Sequence, residues 1–434
     1  MTDFGHYLYL SSRSLRRSPL LFLQVVFTLA FGVAAFGATS GAFLSMSRQP
    51  VGERGSNLFH PQVDPRPLAG HEIDAEPPDD LTLADAEALL RISAPATATI
   101  TSRNWLPLIS ENSAQPVAKM AITRAATRDF FRMFGAEFRF GSAWSVAAEN
   151  GRANLVVLSD KTNKAIFNGE NSVGRTLVIA TKPFQVVGVL KPWDVLPRFY
   201  DLGDGAYADP EEIFMPFTSW RALPQDYGYG PMRCFGTTHE EATSDRCTWV
   251  QMWVQATSQQ AEELLRRLRS YSAEQIRTGR FQRSANVRLR TASEWLAYKD
   301  VVPSSVRIQW WVSAGLLFAC LLTASGLQVV TFRTRYSEFG VRRAMGASRR
   351  DITLQLIIES VLIGVTAGAV GCAGAVALIY TMRFSPEKYA AYLSVDAVGL
   401  SVAIVAALVA ALLATIGPAV RASSVAPYRQ LTEG

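Results

Sequence analysis

The sequence predicts a membrane protein of four transmembrane α-helices plus a large α+β extracytoplasmic domain between spans one and two. Three observations carry this. Four stretches, 20–46, 308–332, 352–382 and 395–417, are long, apolar and nearly free of charge. Basic residues crowd the short segments on one side of them. Residues 47–307 are polar and numerous enough to bury a core of their own.

Each apolar stretch reaches the roughly 20 residues that a helix needs to cross the hydrocarbon core of a bilayer. A buried helix of a soluble protein rarely stays apolar on all sides for that length. The first stretch follows Arg13, Arg16 and Arg17, as a signal peptide would. Its apolar run is far longer than the roughly 7–15 residues of a signal-peptide core, so it reads as an uncleaved anchor. Tyr7 to Arg17 mixes apolar and basic residues before Pro19. Residues 1–19 therefore read as an amphipathic helix on the membrane surface.

Orientation follows from charge. Arg13, Arg16 and Arg17 precede span one. Arg333, Arg335, Arg342, Arg343, Arg349 and Arg350 lie in or beside the link 333–351. Arg421 and Arg429 fall in the tail 418–434. Cytoplasmic segments carry the Lys/Arg excess, which places all three inside. Residues 47–307 and the short loop 383–394 are then outside, and Trp310 and Trp311 fall at the outer end of span two, where interfacial aromatics are favoured. The net charge of +6 is thus largely topogenic, and no nucleic-acid partner is implied.

In the outer domain, 47–80 is rich in Pro, Gly and Asp and reads as an extended lead-in. Leu81 to Ile92 and Ala261 to Arg277 read as amphipathic helices. Asn154 to Leu158, Arg175 to Ile179, Phe184 to Leu190 and Trp249 to Gln255 read as strands. Pro and Gly cluster between Trp193 and Pro210, suggesting a boundary between two lobes. Cys234 and Cys247 lie in this domain. A disulfide suits an oxidising compartment; with His239 between them a zinc site is the alternative, although the spacing matches no strong metal pattern. The histidines of the domain, His60, His71 and His239, sit in no nucleophile or metal motif, so a membrane-anchored enzyme is disfavoured and no metal is expected. Cys320 and Cys372 lie inside spans and read as packing residues.

Small residues one turn apart let membrane helices approach closely. Gly37 and Gly41 in span one, and Gly364, Gly368 and Gly371 in span three, have that spacing or continue it. Glu359 and Asp396 are the acids near the spans, each close enough to a span end to reach the interface. Glu359 reads as a packing or coupling residue rather than part of a proton path.

Ser337 to Ile352 reads SEFGVRRAMGASRRDI. Gly340 can end span two, Gly346 can end a short helix after Met345, and Ser348 can cap the next helix with Asp351 as partner. Read physically, this is either a topogenic basic turn or an exposed arginine-bearing element that docks a cytoplasmic partner.

Here the sequence resembles a known family. Glu338, Gly340, Arg342, Arg343, Ala344, Gly346, Ala347 and Ser348 are similar to the signature of MacB/FtsX-type ABC transporter permeases. Thr127 to Gly141 and Ile166 to Leu190 resemble that family's periplasmic core domain, and Pro418 to Leu431 its closing pattern. Two positions depart from the pattern: Ser337 stands where a basic residue is common, and Ala426 where an acid usually precedes the proline. Residues 201–246 resemble no family pattern.

The resemblance implies a permease subunit in the bacterial inner (plasma) membrane with its large domain in the periplasm. It implies a dimer with a second copy or a paralogue, paired with two ABC ATPase subunits. The chain contains no GxxxxGK[ST] phosphate loop, so ATP and Mg would be bound by a partner ATPase, carried on a separate chain or on a domain outside this sequence. The short helix Phe339 to Met345 would meet that ATPase, with Arg342 and Arg343 contacting its acidic groups. The family is associated with mechanotransmission, in which ATP hydrolysis inside moves the domain outside. The resemblance favours efflux with a periplasmic adaptor and an outer-membrane channel. The alternatives are an FtsX-like regulator of a periplasmic cell-wall hydrolase and a lipoprotein-extracting permease.

Overall fold

A computed structural model describes residues 19–47, 52–68, 75–110, 117–224, 230–235, 244–333, 341 and 345–384, with scattered positions between 390 and 412. The chain opens with helix α1 (Pro19–Ser47). Strands β1 (Leu58–Gln62) and β2 (Leu81–Thr82) lead to α2 (Leu83–Ile92), then β3 (Thr97–Ser110) and β4 (Val117–Ala126). Next come α3 (Asp129–Met133), β5 (Phe138–Gly141), α4 (Val146–Asn150), β6 (Leu155–Leu158), α5 (Asp160–Phe167), β7 (Thr176–Ile179) and β8 (Lys182–Leu190). The outer region closes with β9 (Ile213–Pro216), α6 (Phe217–Arg221), β10 (Arg233–Cys234), β11 (Cys247–Gln255), α7 (Ser258–Arg277), β12 (Arg288–Thr291) and α8 (Ala292–Tyr298). Two long helices follow, α9 (Ser304–Arg333) and α10 (Arg349–Met382). Residues 49–301 form one compact unit, and the flanking segments form another.

In the membrane unit, α1, α9 and α10 are each long and apolar enough to cross a bilayer. They coincide with predicted spans one, two and three. The fourth predicted span, 395–417, falls largely outside the described residues, as do the amphipathic helix within 1–18 and the tail 418–434. The chain is thus a multi-span helical membrane protein with a large folded extracytoplasmic domain. Helices α9 and α10 both pack against α1, which lies between them. Along α10, the buried residues Ile352, Leu356, Glu359, Ile363, Ala367, Gly371, Ala375 and Ile379 recur every three or four positions, the period of one helix face. The remaining faces carry large apolar side chains such as Phe27, Phe31, Val365 and Tyr380, as a lipid-facing surface requires.

The outer unit is built on one sheet with the strand path β12-β1-β11-β3-β4-β9-β6-β8-β5. Pairing is antiparallel except between β4 and β9 and between β6 and β8. Both faces of the sheet are covered. On one face Val156, Leu158, Ile213, Met215, Val250, Met252 and Val254 pack with residues of α2, α6 and α7. On the other, Val157, Phe214 and Trp253 pack with aromatics of α3 and with Trp295 of α8. That is why β6 and β9 read as continuous apolar runs rather than as alternating strands.

Two stretches differ from their sequence expectation. The lead-in 47–80 contains β1, which pairs with β11 at Leu58 and Phe59 and with β12 from Phe59 to Gln62. Pro61 hid this strand, but it falls where β11 has stopped pairing, so its missing N–H interrupts no ladder on that side. The proline- and glycine-rich stretch 193–210 is not an exposed boundary. Phe199 and Tyr200 are buried in the aromatic core, because the strands on either side deliver that segment onto the sheet.

Candidate functional site

The link between α9 and α10 is described at Val341 and again from Met345. The Met345 amide donates to the Val341 carbonyl at 3.0 Å, closing one helical turn. Gly346 follows at φ +105°, a conformation that costs glycine little and an L-residue much. Ser348 then caps α10. Its hydroxyl accepts from the Asp351 amide at 3.2 Å, and the Asp351 carboxylate accepts from the Ser348 amide at 2.8 Å. This reciprocal pair satisfies two donors at the helix start and fixes where α10 begins. Val341 and Met345 are exposed, Met345 by 75%. Ala347 lies between the turn and the cap. Glu338, Gly340, Arg342, Arg343 and Ala344 lie outside the described residues.

The membrane seam is built on small residues. A Cβ on Gly371 would stand 2.7 Å from Val33 Cγ1 and 3.0 Å from the Ala30 carbonyl oxygen, and one on Gly374 would stand 3.0 Å from Ala34 Cβ. Helices α1 and α10 therefore meet backbone to side chain at this level. Gly37, Gly41, Gly364 and Gly368 are also buried in their helices. On the other flank of α1, a Cβ on Gly32 would meet Cys320 Cβ at 3.1 Å and Leu317 at 3.2 Å. Cys320 and Cys372 are free thiols in this unit.

The outer unit contains a charge network the sequence reading missed. Arg124, from β4, donates to Glu211 at 2.6 and 3.1 Å, to Asp201 at 2.6 Å and to Gln251 of β11 at 3.2 Å. Arg198 donates to the other Glu211 oxygen at 2.9 Å and to Asp194 at 2.6 Å, and the Tyr200 hydroxyl donates to Glu211 at 3.1 Å. Arg124, Arg198, Asp201 and Glu211 are all buried, and the Arg124 guanidinium lies 5.3 Å from the centroid of the Tyr200 ring. Two cations face two anions, so the buried core of the network is neutral, the condition under which such groups tolerate desolvation. Burial alone would raise the Glu211 carboxyl; Arg124 and Arg198 override it and hold it at about 2.

Asp201 and Gln251 also line a cavity of about 280 Å³ with Asp79, Asp80, Trp295, Lys299 and the segment 231–235. Burial, then Asp201 and Asp79, push the Asp80 carboxyl up to about 7, against a hydrogen bond from Gln251. Cys234 and Cys247 are joined by a disulfide that ties β10 to β11 beside this cavity. His60 packs between Trp253 and Trp295, with ring centroids 5.1 and 4.3 Å away, and burial pushes its imidazole down. It is a core residue; His71 and His239 lie outside the described residues. The one signal for the network was Arg124 itself, a charge inside the apolar run Ala121 to Ala126.

Residues 22–271 match the family model of the MacB-like periplasmic core domain, and residues 310–427 that of the FtsX-like permease C-terminal region. The macrolide export ATP-binding/permease protein MacB of Nitrosomonas europaea is 30% identical over 222 residues, covering 50% of this chain and 29% of that protein. The protein of the same name from Escherichia coli is 23% identical over 394 residues, covering 88% of this chain and 54% of the relative. The chain thus spans about half, or less, of the length of these curated relatives. Among solved structures, the periplasmic region of MacB from Actinobacillus actinomycetemcomitans aligns with a TM-score of 0.35 at 14% identity, over 59% of this chain and all of that one.

Proposed function

This chain belongs to the MacB/FtsX-type permeases, and from that premise we propose that it is the permease part of an ABC transporter whose ATPase lies outside the two matched domains. Its two matched domains are permease domains, with no catalytic function of their own. In this reading the chain sits in the bacterial inner membrane with 47–307 in the periplasm. It pairs with a second permease, and ATP hydrolysis by two cytoplasmic ATPase subunits moves the periplasmic domain. The names of the relatives favour export, assisted by a periplasmic adaptor and an outer-membrane channel.

The observation that carries this reading is the start of α10. The Met345–Val341 hydrogen bond, the left-handed Gly346 and the reciprocal cap at Ser348 fix the start of α10 directly after Arg342 and Arg343, so that a displacement of those residues is passed to the helix. Glu338, Gly340, Arg342, Arg343, Ala344, Gly346, Ala347 and Ser348 are the proposed ATPase-coupling set. Within it the two guanidinium groups meet acidic groups of the ATPase.

The test is to replace both with glutamate and measure ATP hydrolysis by the purified complex. Reversing two charge-assisted contacts is expected to lower stimulated hydrolysis by about tenfold or more, while membrane insertion and the Cys234–Cys247 disulfide persist. Unchanged hydrolysis by a correctly inserted variant removes the docking role.

A further inference from the structure

We propose that Thr39, Ser40, Trp310 and Ser313 form a polar latch that makes α1 and α9 move as one body at their outer ends. This rests on the permease reading, because it assigns the residues that carry motion from α9 to its neighbour.

The chain of residues 49–301 leaves the membrane unit at the end of α1 and returns at the start of α9. Near those ends the seam between the helices changes character. Lower down it is apolar and small, with Gly32 against Cys320 and Leu317. Near the outer end the Trp310 indole N–H donates to Ser40 Oγ at 3.1 Å, and Thr39 Oγ1 lies 2.6 Å from Ser313 Oγ. The Trp310 ring also stacks on Phe43, with centroids 5.7 Å apart, and lies 6.0 Å from Phe36. Phe36, Thr39, Ser40 and Phe43 lie at spacings of three and four, on one face of α1, and Trp310 and Ser313 are one turn apart on α9.

The hydroxyl pair holds in either proton arrangement. Each hydroxyl has one proton to give. Thr39 Oγ1 is 2.9 Å from the Ala35 carbonyl oxygen, and Ser313 Oγ is 2.8 Å from that of Trp310. If Thr39 donates to Ser313, Ser313 donates to its own helix. If Ser313 donates to Thr39, Thr39 donates to its own helix. One proton bridges the helices both ways, so the contact between them is never traded against a buried unpaired hydroxyl. Ser40 and Ser313 are buried, at 3% and 4% exposure, which leaves little water to compete for these bonds. Sliding the helices apart leaves each hydroxyl its own-helix carbonyl but takes the Trp310 indole N–H off Ser40, a cost that sliding an apolar seam does not carry. Helix α9 is also the span that runs directly into the coupling link, so displacement of its inner end reaches the latch along a single rigid helix. With the latch closed, α1 follows, and both connections to the outer domain shift together. Without it, α9 shears past α1 and the displacement is lost in the seam.

The experiment uses the full chain with its co-purified ATPase in lipid nanodiscs. It reads ATP hydrolysis alongside the ATP-dependent change in hydrogen exchange of residues 49–301. S40A/S313A is expected to keep hydrolysis within about twofold while the exchange response falls about fivefold or more. A T39C/S313C cross-link, made with Cys320 and Cys372 replaced by alanine and read under oxidising conditions that keep Cys234–Cys247 closed, is expected to keep the response, while the T39C and S313C single variants under the same conditions lose it. Loss of the response without rescue by the cross-link overturns the latch and leaves a purely packing role. So does a response that S40A/S313A does not alter. If the unsubstituted chain shows no exchange response to ATP, the permease reading fails, and the latch falls with it.

Discussion

Asp80 and Glu211 are two carboxyls of one domain with opposite electrostatic fates. Glu211 has two guanidinium partners and stays ionised down to about 2. It therefore contributes stability above its ordinary 4.5 that is lost as pH falls toward 2. Asp80 has Gln251 as its hydrogen-bond donor, with two carboxylates nearby, and is raised from 3.8 to about 7. Between those values the folded chain binds more protons than the unfolded one, so its contribution is greatest at low pH and is lost as pH rises through about 7. Asp80→Asn is expected to remove a slope of at most about 1.4 kcal/mol per pH unit. Denaturant midpoints of the full chain in detergent at pH 5 and pH 7 measure it: the unsubstituted chain should lose stability on going to pH 7 by more than the variant does. Little of this was legible in the sequence. Arg124, in a strand the sequence reading did not assign, was its one sign. Its partners lie 77 and 87 positions away, and no periodicity connects residues at that distance. Only the crossing of β4, β9 and β11 with the 193–210 segment brings them together.

Gly371 shows what an element can and cannot reveal about its partner. The apolar length of α10 and its glycine spacing were visible as a span with a small-residue face. Which helix lies against that face was not, because a membrane helix offers no alternation of apolar and polar residues to orient it. The structure puts Val33 and the Ala30 carbonyl there. Valine has a single rotatable bond and a backbone carbonyl has none, so a methyl on Gly371 must push α1 away. Gly371→Ala is expected to cost about 1–3 kcal/mol through overpacking, while Gly326→Ala, whose Cβ would meet nothing beyond its own stretch of helix, should cost nothing measurable. Thermal unfolding in one detergent, with both variants side by side, checks this. Amphipathic helices and strands were legible for the same reason that helix partners were not. Leu83–Ile92 and Ser258–Arg277 each have a wet face and a dry one. β1 was lost because proline and histidine masked its period, and β3 and β4 because Arg103, Asn104 and Arg124 interrupt them with charge and polarity.

At the scale of the molecule, the question is how energy reaches a permease whose matched domains carry no ATPase. The proposed coupling role of the basic segment at 333–351 makes an electrostatic prediction. If the coupling arginines hold an acidic surface in the cytoplasm, that association is exposed to solvent ions and weakens as the Debye length shrinks from about 10 Å at 0.1 M salt to about 3 Å at 1 M. The membrane unit, held by apolar packing and by uncharged hydrogen bonds, is indifferent to the same change. Gentle extraction at low salt is therefore expected to yield a complex with one ATPase chain per permease chain. High salt should strip the ATPase and leave the permease pair intact, and Arg342→Glu with Arg343→Glu should release it even at low salt. Native mass spectrometry across a salt series reads all three. Retention of the ATPase at 1 M salt would place the contact on apolar groups, with the exposed Val341 and Met345 the first candidates, and would confine the arginines to setting topology. The two results separate an electrostatic joint from a hydrophobic one, and only the electrostatic joint needs the stiff cap at Ser348 to hold two charges in register with their partner.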